Sequence, residues 1–215
     1  MPESRLVDTE ATTHDAYARI GSFLALRGYP HLLRCWNYLH DLHRGAGDAE
    51  RYRQFVAGRH RAWSTRPDFE QRLPAATVIG NTEPQLHVLF LAAREPGTPI
   101  ENPRQTPAWK YPRAYGPRSP SFARAMRKDW NGESHLYVSG TASVVGHESH
   151  HAGDARAQLH EIHANIGALL KQAGGDWQPR SLKLYARNAG DMPVAQKLAL
   201  ELWGQDAPFL WVLGD

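Results

Sequence analysis

Residues 154–175, DARAQLHEIHANIGALLKQAGG, are the stretch of this chain that most clearly predicts its own structure. Asp154 is a good N-cap residue, because its carboxylate can accept hydrogen bonds from the free amides of a first helical turn. An apolar stripe follows at helical spacing, made of Leu159, Ile162, Ile166, Leu169, Leu170 and Ala173. Two glycines, at 174 and 175, then end the pattern. The stretch therefore predicts an amphipathic helix that packs one face against a core.

Helices and strands are predicted on both sides of this helix. Before it, the patterns predict helices at residues 11–27 and 49–63 and strands at residues 32–39, 75–79 and 86–93. Residues 136–145 are predicted as a strand or a bent hairpin arm, followed after the helix by a strand at 181–187, a helix at 192–203 and a strand at 209–213. The two halves share an order of elements, which indicates a degenerate internal duplication. The predicted fold class is α+β.

A proline-rich block at residues 96–120 separates the two halves. It holds seven prolines and two glycines, so it cannot form regular helix or sheet for long. A plain linker would be polar and featureless, whereas this block also carries Arg, Tyr and Trp, which recognise ligands. The block and the strand after it, residues 101–142, are therefore the predicted binding site.

Composition excludes several classes of function. The chain has 25 basic and 22 acidic residues with no run of like charges, which argues against a nucleic-acid partner. Cys35 is the single cysteine, so an intrachain disulfide is excluded. The first residues are polar and acidic, and the apolar runs are too short to span a bilayer. These features predict a cytoplasmic protein.

The second half resembles the Rid (YjgF) superfamily of small-molecule deaminases and binding proteins. In that superfamily a Gly-Pro-x-Ser segment precedes a Tyr-Val-Ser-Gly strand, and here the matches are residues 116–119 (GPRS) and 137–140 (YVSG). A closer resemblance is to the chorismatase family, formerly called pteridine-dependent dioxygenase-like. Three stretches carry it: residues 100–105 (IENPRQ), 111–125 (YPRAYGPRSPSFARA) and 139–148 (SGTASVVGHE).

The resemblance implies a fold of two Rid-like units with mixed sheets packed on helices. Residues 1–98 would form the first unit, without its opening strands, and residues 99–215 the second, without its closing strand. The implied reaction cleaves the enolpyruvyl ether of chorismate to pyruvate and a hydroxybenzoate or dihydroxycyclohexadiene carboxylate, with no cofactor. Chorismate is then the partner, and the protein is a monomer or a homo-oligomer.

The substrate has two carboxylates, which favours arginine because its fork meets a carboxylate with two parallel hydrogen bonds. The predicted substrate-binding residues are Arg104, Tyr111, Arg113, Tyr115, Arg118, Ser121, Arg124, Thr141 and Ala142. Arg118 is the first choice, because it lies inside the matched Gly-Pro-x-Ser segment. The resemblance implies that the family's proton-donating glutamate follows a segment like Gly214-Asp215. Within residues 1–215, Glu148 is the catalytic candidate.

Three alternatives remain open at this point. His147, Glu148 and His151 satisfy the H-E-x-x-H pattern of zinc hydrolases, although the flanking residues predict a loop rather than the helix that this motif requires. A Rid-type imine deaminase would need an arginine near the chain end, and residues 209–213 contain none. A shortened, non-catalytic relative would bind chorismate without turnover. The predicted site contains no metal.

Overall fold

The computed structural model describes residues 8–66, 68–206 and 208–214. Its helices are α1 (Thr9–Arg27), α2 (Arg51–Trp63), α3 (Ala155–Ala173) and α4 (Met192–Trp203). Its strands are β1 (His31–His40), β2 (Ala75–Asn81), β3 (Leu86–Ala93), β4 (Thr98–Ile100), β5 (Ala125–Trp130), β6 (Glu133–Val138), β7 (Val144–Val145), β8 (Glu148–Ser149), β9 (Leu182–Ala186) and β10 (Phe209–Leu213). The α+β class is confirmed.

Helix α3 begins and ends as its sequence predicts. Asp154 accepts a hydrogen bond from the Ala157 amide at 2.9 Å, and Gly174 at the C-cap has a φ of 65°. The buried positions differ from the predicted stripe in two respects. Ile162, Ile166 and Leu170 are only half-buried. Besides Leu159, Leu169 and Ala173, the helix buries the polar Asn165 completely.

The buried face of α1 is also more polar than expected. Helical spacing in the sequence predicts an apolar face made of Ala16, Ile20, Phe23, Leu24 and Leu26. In the structure, however, Leu26 is 84% exposed and Phe23 is also exposed. The buried residues are instead Thr9, Thr13, Tyr17 and Leu24. Tyr17 packs edge-to-face on Trp63 of α2, with ring centroids 4.8 Å apart, and its hydroxyl donates to Asn37 of β1. The helix is therefore held by an aromatic and hydrogen-bonded contact rather than by an aliphatic stripe.

The first sheet has the order β2-β1-β3. Strand β1 lies in the centre, parallel to β2 and antiparallel to β3. The segment between β2 and β3 therefore crosses to the other edge of the sheet and does not form a hairpin. The main core lies between this sheet and helices α1 and α2, and its buried members are Tyr17, Leu39, Leu42, Phe55, Val56 and Trp63.

The proline-rich block contains little regular structure, as predicted. It holds the three residues of β4 and two short 3-10 turns, at Ala108–Lys110 and Arg113–Tyr115. Strand β4 pairs with β5, which pairs in turn with β6. Strand β5 was missed at the level of sequence, because it contains Arg, Lys and Asp within six residues. The predicted strand at 136–145 is interrupted after Val138, and its continuation is the short hairpin β7-β8.

The last part of the chain repeats the helix–strand order of the first. Strands β9 and β10 are parallel neighbours, and α3 packs against α4. A small core between them contains Leu159, Ala195, Leu198 and Ala199. The predicted bounds of α4 and β10 are confirmed, and β9 is one residue shorter than predicted at each end.

The segment at residues 123–140, which follows the proline-rich block, is joined to the first sheet at its edge strand β2. Ala75 and Ala123 form a parallel bridge, and the Gly140 amide donates to the Ala76 carbonyl at 3.1 Å. The Ser139 hydroxyl accepts from the Ala76 amide at 2.8 Å and donates to the Ala123 carbonyl at 2.6 Å. These hydrogen bonds hold the segment at residues 123–140 against the first sheet. Across the described residues, none of the helices is both long and apolar enough to cross a membrane.

Candidate functional site

A small cavity of about 170 Å³ lies under the proline-rich block. It is lined by His60, Phe69, Glu70, Trp109, Pro117, Arg118, Ser119 and Ser121. Pro117, Arg118 and Ser119 are consecutive in the sequence. The loop that carries them folds back on itself, because Ser119 Oγ donates to the Tyr111 carbonyl at 2.9 Å. Two predicted site residues, Arg118 and Ser121, thus share one cavity.

The two predicted residues contribute different groups to this cavity. Arg118 is exposed and makes no ion pair with a carboxylate in the described part of the chain, so its guanidinium is available to an anion. Ser121 is 3% exposed, and its Oγ has no hydrogen-bond partner among the described residues. A buried hydroxyl without a partner costs free energy, and a ligand oxygen at this position would satisfy it.

His60 of α2 lines the same cavity as Arg118. Burial lowers the pKa of its imidazole, and the positive charge of Arg118 lowers it further, while Glu70 acts in the opposite direction. The neutral imidazole is therefore favoured at pH 7. The fixed charges around the cavity are then the cation of Arg118 and the anion of Glu70.

A second group of predicted residues surrounds Tyr111. Its hydroxyl accepts a hydrogen bond from Nη2 of Arg124 at 2.9 Å, and its ring centroid lies 5.2 Å from that of Tyr115. The Tyr115 hydroxyl lies 3.4 Å from Nδ1 of His147. Arg124, Tyr111, Tyr115 and His147 thus form a continuous row from the interior to the surface.

Arg124 follows the proline-rich block and is the most deeply placed of the four predicted arginines, with 6% of its surface exposed. Nη2 donates to the Thr106 carbonyl at 2.7 Å as well as to Tyr111, and the guanidinium lies 5.3 Å from the Phe122 ring centroid. Its Nε is buried and has no acceptor in the described structure. A cation that is held by neutral groups and still has one donor open is suited to bind an anion.

Arg104 and Arg113 are already engaged. Arg104 donates through Nε to Oδ1 of Asn165 at 2.9 Å and forms an ion pair with Glu161. Arg113 lies on the surface and makes two hydrogen bonds to Asp48, at 3.0 and 2.5 Å. The four predicted arginines therefore divide into two that are paired with acids and two that are not.

Thr141 and Ala142 lie where the chain leaves β6. The Thr141 hydroxyl donates to the Ser139 carbonyl at 3.0 Å. Ala142 is exposed, and its carbonyl accepts from Nδ2 of Asn165 at 3.2 Å. The Asn165 side chain also reaches the Val144 carbonyl, at 2.9 Å. This segment is thus fixed by α3 through a residue that the sequence analysis did not single out.

Glu148 and the histidine motif lie on the surface. Glu148 is exposed in the two-residue strand β8, whereas a carboxyl that must keep its proton requires burial. His147 lies in a turn and His151 has a φ of 60°, so the H-E-x-x-H pattern is not helical. Among the described residues no group of three or more His, Cys, Asp or Glu side chains is arranged to hold a metal ion. The zinc hydrolase alternative lacks the helix that its motif requires.

Glu101 is half-buried, and the candidate residues did not include it. Burial raises the pKa of this group, and the guanidinium and backbone amide of Arg124 only partly oppose that rise. Its Oε2 has no hydrogen-bond partner in the described part of the chain. A glutamate beside prolines looks like a surface residue in sequence, whereas in the structure Glu101 directly follows Ile100, which pairs with Ala125 of β5.

A larger cavity, of about 360 Å³, lies at the start of β1. Its walls include His31, Trp63, Arg66, Arg72 and Met126. None of the predicted site residues lines it, so volume alone does not identify the site.

Comparison with known proteins gives one consistent result. Residues 1–92 match a family model described as chorismatase FkbO/Hyg5-like, N-terminal. A 3-hydroxybenzoate synthase of Streptomyces hygroscopicus is 38% identical over 224 residues, which cover 96% of this chain and 65% of that protein. A chorismatase of Streptomyces rapamycinicus is 34% identical over 211 residues, covering 92% of this chain and 63% of that protein.

The structure gives the same relationship. It superposes on a crystal structure of a chorismatase with a TM-score of 0.88 and 29% sequence identity, over 98% of this chain and 66% of that one. The chain thus spans slightly less than two thirds of the length of these relatives.

Proposed function

Because this chain belongs to the chorismatase family, we propose that it binds chorismate and cleaves its enolpyruvyl ether. The products are pyruvate and a hydroxybenzoate or a dihydroxycyclohexadiene carboxylate. The proposed binding site is residues 101–142, which include most of the proline-rich block and the strands after it.

The division of the four block arginines is the observation that carries this proposal. Arg104 and Arg113 are bound to acids of the same chain, whereas Arg118 and Arg124 have no carboxylate partner in the described residues. Chorismate brings two carboxylates, and two open guanidinium groups match them in number and charge. Tyr111, Tyr115, Ser121, Thr141 and Ala142 form the surrounding wall.

The chemistry requires a proton at the terminal methylene carbon of the enolpyruvyl group. Carbon is a poor base, so the donor must be a neutral carboxylic acid. The resulting oxocarbenium ion is captured by water or by the ring hydroxyl of the substrate, and pyruvate leaves. No step of this route uses a metal or an organic cofactor.

We also propose that the fold consists of two Rid-like units, at residues 1–98 and 99–215. In the first half α1 packs on α2, and the strands that follow these helices, β1 and β2, pair in parallel. In the second half α3 packs on α4, and the strands that follow them, β9 and β10, also pair in parallel. This repeat supports a duplicated unit. The cytoplasm fits such an enzyme, and the protein acts as a monomer or a homo-oligomer.

Incubation with chorismate tests the proposed activity, with pyruvate and aromatic acids measured by chromatography. Pyruvate formation by this chain is the expected result. If only a version extended at both ends releases pyruvate, the 215-residue chain binds chorismate but does not cleave it. If neither version forms product and neither binds chorismate, the proposed function is wrong.

A further inference from the structure

Strand pairing brings two unsatisfied polar groups together inside the block. Ile100 lies opposite Ala125 in the β4-β5 pair, so the next residues in each direction, Glu101 and Arg124, are neighbours. Glu101 Oε2 and Arg124 Nε are both buried and have no hydrogen-bond partner among the described residues. Buried polar atoms are almost always satisfied in folded proteins, so two adjacent exceptions point to a bound group.

The two groups do not satisfy each other. Arg124 directs Nη2 to the Thr106 carbonyl and the Tyr111 hydroxyl, and no ion pair with Glu101 forms. Burial raises the pKa of the Glu101 carboxyl more than Arg124 lowers it, which favours the protonated form. A protonated Glu101 is a hydrogen-bond donor, and it lies beside the N–H donor of Arg124.

The groups that face this pair come from several elements. Arg124 precedes β5, Tyr111 lies in the block, and Tyr52 comes from α2. Burial raises the pKa of the Tyr52 hydroxyl to about 12, with Tyr111 raising it and Arg59 and Arg124 lowering it, so it stays neutral at pH 7. His147 is connected to this pair through Tyr115 and Tyr111.

We propose that Glu101 and Arg124 form a proton-dependent carboxylate subsite, in which the protonated carboxyl and Arg124 Nε donate side by side to one ligand carboxylate. The ligand class is an aromatic or cyclohexadiene carboxylate. The identity of the ligand rests on the proposed function, whereas the dependence on a proton does not. Glu101 is here a binding residue, and its proton is not transferred to the ligand.

Binding of a carboxylate to this pair has a measurable consequence. The negative ligand further favours the protonated form of Glu101, so binding takes up a proton from solution wherever free Glu101 is partly ionised. Affinity then falls as pH rises through the pKa of free Glu101, approaching about tenfold per pH unit above it. A site that used arginine alone would show neither effect in this range.

Calorimetry with benzoate, in two buffers of different ionisation enthalpy and from pH 5 to 8, measures both effects. Wild type is expected to take up as much as about one proton and to weaken as pH rises. Glu101→Gln keeps an N–H donor that does not titrate, so it should bind without proton uptake and with a flat pH profile. Glu133→Gln, on an exposed residue of β6, is the matched control and should behave as wild type.

Two further variants decide between sources of the proton. His147→Gln should keep the proton uptake, and loss of uptake in this variant would assign it to His147 and overturn the proposal. Arg124→Lys should weaken benzoate at least tenfold while its circular dichroism stays that of wild type. If Arg124→Lys is unfolded, the Glu101→Gln profile decides alone. Proton uptake that persists in Glu101→Gln overturns the proposal.

The same experiment separates this subsite from the proposed reaction. Benzoate contains no enolpyruvyl group, so its binding does not depend on cleavage of chorismate. Proton-linked benzoate binding without pyruvate formation would support the subsite and reject the proposed cleavage of chorismate. Pyruvate formation with proton-independent binding would support the activity and reject the subsite.

Discussion

Nε of Arg104 donates to Oδ1 of Asn165 at 2.9 Å, so a fully buried helix side chain is bound directly to the site block. The amide nitrogen of Asn165 donates in turn to the Ala142 and Val144 carbonyls, at 3.2 and 2.9 Å. The Asn165 carbonyl accepts from Asn102 at 2.9 Å. One residue of α3 therefore connects both ends of the block, which makes it a structural determinant of the site.

Asn165→Ala is expected to lower the free energy of unfolding by about 1–3 kcal/mol, because Nε of Arg104 loses its acceptor and the Ala142 and Val144 carbonyls each lose one of their two donors. Urea denaturation followed by circular dichroism measures this. Gln158→Ala, which removes a hydrogen bond from the exposed part of the same helix, is the control and should cost much less. Equal losses in both variants would mean that the Asn165 network contributes little.

Arg118→Ala should weaken chorismate binding by an order of magnitude or more, through loss of a charge-assisted hydrogen bond of about 1.5–3 kcal/mol. Calorimetric titration gives the dissociation constant. Arg127→Ala is the control, since Arg127 lies on β5 and pairs with Asp129 at 3.0 Å. Unchanged affinity in Arg118→Ala would remove Arg118 from the site.

Glu101 should also make stability depend on pH. Its pKa is raised in the folded protein, so the native state binds more protons than the unfolded state over the interval between the two pKa values. The free energy of unfolding should therefore fall as pH rises from about 4 through the raised pKa, and then level off. Glu101→Gln should lack this component. Urea midpoints measured from pH 4 to 8 give both profiles, and parallel curves would contradict the expected shift.

Protein purified without a histidine tag should contain no stoichiometric zinc, because the motif at residues 147–151 occupies a turn and a two-residue strand. Elemental analysis by mass spectrometry measures the metal content. One zinc per chain that is lost in His147→Ala would revive the hydrolase alternative.

The sequence predicted those elements whose signals are local. Helix α3 has a capping aspartate and a terminal glycine, and α4 and β10 have strong apolar patterns, so their bounds agree with the structure. Strand β5 was missed because AMRKDW has no alternating pattern, and its hydrogen bonds come from β4 and β6 on either side. Pairing between distant segments leaves no such local signal.

The sequence predicts candidate binding residues, but it does not predict which of them are free to contact a ligand. Prolines and arginines mark the block in sequence, yet whether an arginine is open depends on acids that lie far along the chain. Arg104 meets Glu161 and Arg113 meets Asp48, contacts that spacing cannot reveal. Glu101 was passed over for the opposite reason, since its burial arises from strand pairing rather than from neighbouring apolar residues.

The hydroxyl of Ser139 links Ala76 of the first sheet to Ala123 of the block. During synthesis on the ribosome, residue 139 emerges more than sixty residues after Ala76, so the β2 edge stays open for that interval. An open edge can pair with a neighbouring nascent chain, and ribosomes following one another on a single message bring such chains close together. Ser139→Ala would lengthen this exposure and should shift newly made protein from the clarified lysate to the pellet.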